Sequence, residues 1–141
     1  MSPPVPGPVA VALSRYPARV RARLLDIRQI VFEVAAETEG VGTLTETLKW
    51  GEPAYLTEAS KSGTTIRLGA AKSAPEECRI LFNCKTTLVE AFRDHFADVF
   101  AFDGNRALVV PVTGALPHVP LMLCLRAAMT YHRWKDAGSR S

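Results

Sequence analysis

The segment from Leu44 to Asn83 constrains the fold most, because short strand patterns follow one another there with no helical pattern between them. Apolar and polar residues alternate within each pattern, and Gly, Pro and Ser residues separate them. The predicted strands are Leu44–Trp50, Ala54–Glu58, Thr64–Leu68 and Cys78–Asn83. Since strands joined by short connections pair antiparallel, a doubly wound parallel sheet is not expected. Gly51 and Pro53 predict a bend or bulge after the first strand.

A helical pattern precedes the strands. Pro17 suits a first helical turn because it lacks a donor that would be unsatisfied there, and Gly40 favours a helix end. Between them, apolar residues recur at the spacing of one helix face. This stripe consists of Val20, Leu24, Ile27, Val31 and Val34. The sequence therefore predicts a long amphipathic helix before the sheet.

Two further helices and a hairpin are predicted after the strands. Thr87 with Glu90 three residues later indicates a capping box at the start of the second helix. Asp103-Gly104-Asn105 favours a tight hairpin turn. The third helix runs from about Val119 to Lys135 and is nearly apolar all round, so it is expected to be buried on more than one side. The predicted fold is α+β, with an antiparallel sheet of about five or six strands and three helices packed on one face.

The chain length and the chain ends predict one domain with two short flanks. A chain of 141 residues is typical of a single domain with its own core. The Pro-rich segment 1–9 is expected to be an extended or disordered arm that buries nothing. The α+β domain is predicted over 10–135, and 136–141 are expected to form a polar tail.

Composition favours a reducing, cytoplasmic location. The chain has three cysteines. Cys78 and Cys84 lie roughly 20 Å apart if both belong to one strand, which is too far for a disulfide. Dispersed free thiols are typical of the cytoplasm. No segment reaches the roughly 18 apolar residues of a membrane span, so no membrane partner is predicted. The net charge of +3 permits polyanion binding without requiring it.

Three runs of sequence resemble the YdhG-like family, a domain of unknown function (DUF1801). The first is Glu46-Thr47-Leu48-Lys49-Trp50-Gly51-Glu52-Pro53-Ala54-Tyr55-Leu56, with its Trp-Gly-x-Pro motif. The others are Ile80-Leu81-Phe82-Asn83-Cys84-Lys85-Thr86-Thr87-Leu88 and Gly104-Asn105-Arg106-Ala107. The resemblance covers roughly residues 15–134. It implies a small α+β fold and supplies no catalytic residues.

The resemblance also raises an iron-carrying function, because some relatives are described as frataxin-like intracellular iron chaperones. Frataxin-like function is usually tied to an acidic surface, whereas this chain is net basic. From the sequence itself, Glu33 and Glu37, with Glu39 nearby, would hold a hard cation only weakly. His95, His118 and His132 are widely spaced and give no zinc pattern. We therefore predict no metal site and no cofactor.

Two groups of residues are candidate ligand contacts. Trp50 and Tyr55 would present aromatic faces beside the strand bend. The alternative is that Trp50 anchors the first helix to the sheet. Arg67, Arg79 and Asn83 are predicted on the sheet face away from the helices, where they would hold a carboxylate or phosphate. The alternative there is an ordinary solvated sheet face.

Two other chemistries are weighed against these. Arg15, Arg19 and Arg23 lie on one helix face, but without interleaved aromatics or a recognition motif nucleic acid is not favoured as a partner. Cys84 precedes a helix start, where its thiolate would be stabilised, or it is a small buried hydrophobe.

These observations favour a non-catalytic domain that binds an unknown small molecule or protein, with a homodimer through the third helix. An iron-binding chaperone and a small-molecule enzyme that uses Cys84 are the alternatives.

Overall fold

The computed structural model describes residues 2–139, with side chains through residue 135. Five helices lie within this range: α1 Gly7–Ser14, α2 Ala18–Glu37, α3 Leu88–Phe96, α4 His118–Met129 and α5 Tyr131–Ser139. Six strands accompany them: β1 Thr45–Lys49, β2 Glu52–Leu56, β3 Ile66–Gly69, β4 Glu77–Leu81, β5 Ala101–Asp103 and β6 Ala107–Pro111. All the predicted strands and the hairpin are present, with ends shifted by a few residues.

The six strands form one antiparallel sheet in the order β1-β2-β3-β4-β6-β5. The register places Leu68 opposite Ile80, and Ile80 opposite Leu108. These three side chains are buried in the core with the apolar stripe of α2. Because side chains alternate along a strand, residues one position away point to the other side of the sheet. The α+β class and the antiparallel sheet are confirmed.

The third predicted helix is interrupted at Thr130, so that it forms two helices, α4 and α5. The loop before β3 contacts this interruption and donates hydrogen bonds to backbone carbonyls of α4. The Thr64 N–H donates to the Ala128 carbonyl at 2.9 Å, and the Ser62 hydroxyl donates to the Met129 carbonyl at 2.7 Å. A side chain at Gly63 would lie 2.3 Å from the Ala128 carbonyl oxygen, so the close approach requires glycine.

The amino-terminal segment differs from the predicted arm. Helix α1 begins at Gly7, with a proline in its first turn, and Val9 is buried. The Pro3 and Pro4 carbonyls accept hydrogen bonds from Arg28 of α2 at 2.8 and 3.3 Å. With α1 and the break at Thr130, the described chain has five helices where the sequence predicts three. Met1 and residues 140–141 of the predicted tail lie outside the described residues.

Helix α3 begins next to Thr87, as the sequence predicts, but the expected capping box does not form. The Thr87 side chain makes no capping hydrogen bond. The neighbouring hydroxyl of Thr86 instead accepts a long hydrogen bond, 3.4 Å, from the Leu88 N–H.

Candidate functional site

The sheet face away from the core carries a cluster of arginines, which we call the arginine face. It comprises Arg67 on β3, Arg79 on β4 and Arg106 beside β6, together with Glu52 at the start of β2 and Trp50 in the β1–β2 turn. The register sets this face, because Arg67 lies opposite Leu81 and Arg79 lies opposite Gly69 and Val109, all one position away from core residues. The open-face placement that the sequence predicts for Arg67 and Arg79 follows from this register.

The arginine face is concave. A cavity of about 300 Å³ is lined by the five residues of the cluster with Ala70 and Leu81. An adjoining cavity of about 330 Å³ shares Trp50, Arg67 and Arg106. It adds Lys49, Thr65, Phe82, Asn83 and Cys84. The two hollows together offer room for a small organic molecule.

Positive charge exceeds negative charge across these hollows. Arg67 pairs with Glu52 at 2.7 Å, and Arg79 pairs with Asp103 at 3.2 Å. Arg106 is exposed and makes no ion pair within the described part of the chain. The Nε–H of Arg79 is buried without a hydrogen-bond partner, so an external anion does not reach it. The exposed guanidinium of Arg106 is available to an incoming anion.

Glu52 lies next to Gly69 in the cavity. A side chain at Gly69 would meet the Glu52 carboxylate, which would have to move aside to make room for it. Burial raises the pKa of Glu52 above its ordinary value, while the nearby charges of Arg67 and Arg106 oppose that rise. The carboxylate competes with any external anion for Arg67.

Trp50 lies at the tip of a two-residue hairpin turn rather than in the core. Lys49 pairs with Glu52 across it, and Trp50 and Gly51 have φ angles of 55° and 76°. Positive φ at both positions is a type I′ turn, which favours Asn and Gly and strains a bulky residue. The Trp50 side chain is 90% exposed. The alternative that Trp50 anchors the first helix is wrong, and the predicted bend is a hairpin turn.

Tyr55 is on the opposite side of the sheet from Trp50. Its side chain is buried, and its hydroxyl donates to Glu46 Oε2 at 2.8 Å. Its ring meets Phe32 edge to face at 5.7 Å between centroids. Burial raises the pKa of Tyr55 strongly, with the Glu46 carboxylate adding to the effect. The two aromatic candidates are therefore not brought together.

Asn83 and Cys84 lie at the edge of the second hollow, and both are exposed. Asn83 Oδ1 accepts a hydrogen bond from the Lys85 N–H at 3.0 Å, so the amide shapes the turn before α3. The expectation that Cys84 is buried is wrong. The two buried thiols are Cys78 and Cys124, and burial raises their pKa values to about 11 and about 12. All three cysteines are free.

The arginine row predicted on the first helix does not form a shared surface. Arg23 is buried and its Nε–H donates to the Val112 carbonyl at 3.2 Å. Arg19 is exposed and pairs with Glu76 at 2.9 Å. Arg28, on another face of the helix, is also buried. The row thus connects α2 to neighbouring segments, and it does not offer three adjacent contacts to phosphates.

Among the side chains that the structure describes, residues 2–135, no three of His, Cys, Asp or Glu lie close enough together to hold a metal ion. Glu33, a candidate for a hard cation, faces His118 at 3.7 Å. None of the described helices has the length and apolar character needed to cross a bilayer.

Arg106 and Lys49 belong to the arginine face although neither was a predicted contact. Arg106 follows the Gly104-Asn105 turn, and the pairing of β6 with β4 carries it beside Phe82, into the cavity that Arg79 also lines. Lys49 on β1 pairs with Glu52, which places its side chain on the open face. The alternation of β1 was a usable signal for Lys49, whereas the pairing of β4 with β6 had no local signal.

The sequence matches no family model and no curated protein. Among solved structures, the chain is similar to a protein of the DUF1801 family, YdhG of Bacillus subtilis. The two share 13% sequence identity with a TM-score of 0.56, over 94% of this chain and 92% of that chain. The resemblance drawn from the Trp-Gly-x-Pro motif and its companions is confirmed at the level of the fold.

Proposed function

We propose that this chain, which has the fold of the YdhG-like DUF1801 protein, is a non-catalytic binding domain for a small organic anion. The ligand we propose carries a carboxylate or phosphate group and a flat ring. Its acidic group would contact Arg67, Arg79 and Arg106, and its ring would stack on Trp50. This assignment sharpens the binding function that the sequence favours, and it replaces Tyr55 with Arg106 as a contact.

The observation that carries the proposal is a large aromatic side chain left in water in a strained turn beside three arginines. Trp50 is 90% exposed at φ 55° and adds nothing to the core. Residues in such sparsely populated conformations cluster at ligand sites. An exposed indole offers a stacking surface, and guanidinium groups offer paired donors to planar acids. The two features line the same hollow.

The free thiols support a cytoplasmic location as part of this proposal. Cys84 is exposed and none of the three cysteines is paired. An exposed thiol persists in reduced form where glutathione and thioredoxin maintain reducing conditions.

Isothermal titration calorimetry tests the proposed function with two probes, AMP for the phosphate and nicotinate for the carboxylate. Adenosine and inorganic phosphate supply the ring and the anion separately. We expect AMP or nicotinate to bind. Adenosine and inorganic phosphate should each bind at least about tenfold more weakly than AMP, since the ring and the anion each contribute about 1–3 kcal/mol to binding.

The matched variants are Arg106→Gln on the arginine face and Arg126→Gln, an exposed arginine on α4. Arg106→Gln should lower the affinity for whichever probe binds about tenfold, because a charged hydrogen bond contributes about 1.5–3 kcal/mol. Arg126→Gln should change nothing. Equal effects of the two variants, or no binding of either probe, would reject the proposal.

We also propose a homodimer through α4, the first half of the predicted third helix. Val119 is 65% exposed and Leu123 is 46% exposed, and they lie four residues apart on one side of α4. Light scattering at high protein concentration should give about twice the 15.4 kDa chain mass. Val119→Glu should return the mass to that of one chain. A single-chain mass for the unaltered protein would reject the dimer.

A further inference from the structure

The largest of the hollows borders the arginine-face cavity at Ala70 and lies beside Gly51 of the β1–β2 turn. It measures about 490 Å³ and is lined by three segments. These are the junction of α1 and α2, the β1–β2 turn at Gly51, and the β3–β4 loop from Ala70 to Pro75. An exposed ion pair between Arg19 and Glu76, 2.9 Å long, ties that loop to α2.

The interior of this hollow is predominantly apolar. Its walls include Ala12, Pro17, Val20, Ala70, Ala71 and Pro75. Val20 and Ala12 are buried parts of the core, so the hollow is floored by rigid packing rather than by loose side chains. Small side chains on three walls leave the space open. A ring or short alkyl chain placed there would exchange water for apolar contacts.

The polar groups of the hollow are basic or neutral. Arg15 and Lys72 line it and are exposed, and no acidic side chain lines it. Neither Arg15 nor Lys72 makes an ion pair within the described chain. The half-buried Tyr16 also lines it, and burial together with the Glu52 charge raises the pKa of this phenol. Tyr16 therefore stays protonated and is able to donate a hydrogen bond.

We infer that this hollow binds an amphipathic organic anion, with its apolar part against the Ala and Pro walls and its acidic group toward Arg15 and Lys72. The apolar interior selects a ring or an alkyl chain of a few carbons, and the two unpaired cations select a carboxylate or sulfonate over an alcohol. This site differs from the arginine face in its interior, which offers packing and no guanidinium cradle.

Binding of 8-anilinonaphthalene-1-sulfonate tests the inference, because that probe combines fused apolar rings with a sulfonate and fluoresces when desolvated. We expect saturable binding that octanoate displaces and that 1-octanol displaces at least about tenfold less well, since only octanoate brings a charge to the two cations. Equal displacement by octanoate and octanol would overturn the role of Arg15 and Lys72.

Two variants test whether the probe binds in this hollow. The double variant Arg15→Gln and Lys72→Gln should weaken probe binding about tenfold or more. Ala71→Phe places a large side chain in the hollow from the β3–β4 loop. It should weaken probe binding at least as much and leave the circular dichroism spectrum unchanged. If Ala71→Phe perturbs folding, the charge variant alone decides.

Two controls separate this site from other surfaces. Lys85→Gln removes an exposed lysine outside the hollow, and Trp50→Ala removes the exposed ring of the arginine face. Neither should weaken displacement of the probe by octanoate, which has no ring to stack on Trp50, by more than about twofold, because neither removes a charge or a wall from the hollow. Loss of binding in Trp50→Ala with none in the hollow variants would assign the probe to the arginine face and overturn the inference.

Discussion

The first hairpin carries a glutamate on each side of the sheet, each paired with an arginine from another element, and the two ion pairs differ in exposure. Arg28 and Glu46 are joined at 2.6 Å with side chains only 5% and 6% exposed. Arg67 and Glu52 are joined at 2.7 Å with side chains 26% and 23% exposed. The two ion pairs have the same chemistry and nearly the same length, so they differ mainly in the residues and solvent around them.

The surroundings decide what each pair is able to do. Glu46 also accepts a hydrogen bond from Tyr55, and Arg28 also donates to Pro3 and lies 4.8 Å from the Phe32 ring. Those contacts leave no open position, so the buried pair joins α2, the sheet and the amino-terminal segment. Arg67 and Glu52 instead border a hollow. A partly exposed pair contributes little to stability and is free to exchange one partner for a ligand.

The largest expected effect comes from breaking the two pairs in the same way. Glu46→Gln should lower the free energy of unfolding by about 3–5 kcal/mol, because it leaves the Arg28 charge buried without a partner. Glu52→Gln should change it by less than about 1 kcal/mol in either direction, since Arg67 remains in contact with water. Urea unfolding of both variants measures the difference. Equal losses would show that burial does not separate the pairs.

Trp50→Asn tests whether Trp50 serves ligand binding and not stability, because the two properties should change in opposite directions. Asn-Gly is the preferred pair for a type I′ turn, so the variant should gain roughly 0.5–1 kcal/mol in the free energy of unfolding. The same change removes the stacking surface. It should lower the affinity for AMP or nicotinate about tenfold, because stacking contributes about 1–3 kcal/mol. Calorimetry and urea unfolding give the two numbers. A stabilised variant with undiminished affinity would exclude Trp50 from the site.

Tyr55→Phe tests whether the covered side is structural only. Loss of the hydroxyl leaves one Glu46 oxygen without its Tyr55 donor and should cost about 1–2 kcal/mol of unfolding free energy. Probe affinity at the arginine face should not change, because Tyr55 lies on the other side of the sheet. A change in affinity beyond about twofold would mean that the two sides are coupled.

The smallest expected effect is the pH dependence of anion binding. The raised pKa of Glu52 means that the folded state takes up this proton before the unfolded state does, so the group lowers stability more at pH 7 than at lower pH. Protonation also frees Arg67. Affinity for sulfate, whose charge is constant in this range, should rise a few-fold from about pH 7 to about pH 5.

Glu52→Gln is the matched control for this titration. The amide keeps the shape of the side chain and removes the competing charge, so sulfate should bind more tightly at pH 7 and with a weaker pH dependence. Any dependence left in the variant would belong to other carboxylates such as Asp103, the partner of Arg79. An unchanged pH profile would contradict competition by Glu52.

Local pattern predicted the strands, the hairpin turn at Gly104 and the side of the sheet on which Arg67 and Arg79 lie. Those features depend on alternation within one strand, which a sequence displays directly. The break at Thr130 was not predictable in this way, because it is imposed by Ser62 and Thr64, far away in sequence. The helical pattern on both sides of it reads as one continuous helix.

The candidate site shows the same limit. Size and hydrophobicity favoured a buried Trp50, and only the two-residue turn shows why it is exposed. The contribution of Arg106 required the pairing of β4 with β6 across an intervening helix. The proximity of Glu52 and Gly69 required the pairing of β2 with β3. Each of these depends on which strands become neighbours.

We propose that the open side of the sheet binds anions, whereas the charges on the covered side are fully paired within the protein. Arginine Nε–H signals followed by NMR during a titration with AMP test this in one experiment. We expect shifts at Arg67, Arg79 and Arg106 with none at Arg28, whose Nε–H donates to Glu46. Shifts of the same size at Arg28, or none at the three open-face arginines, would contradict it.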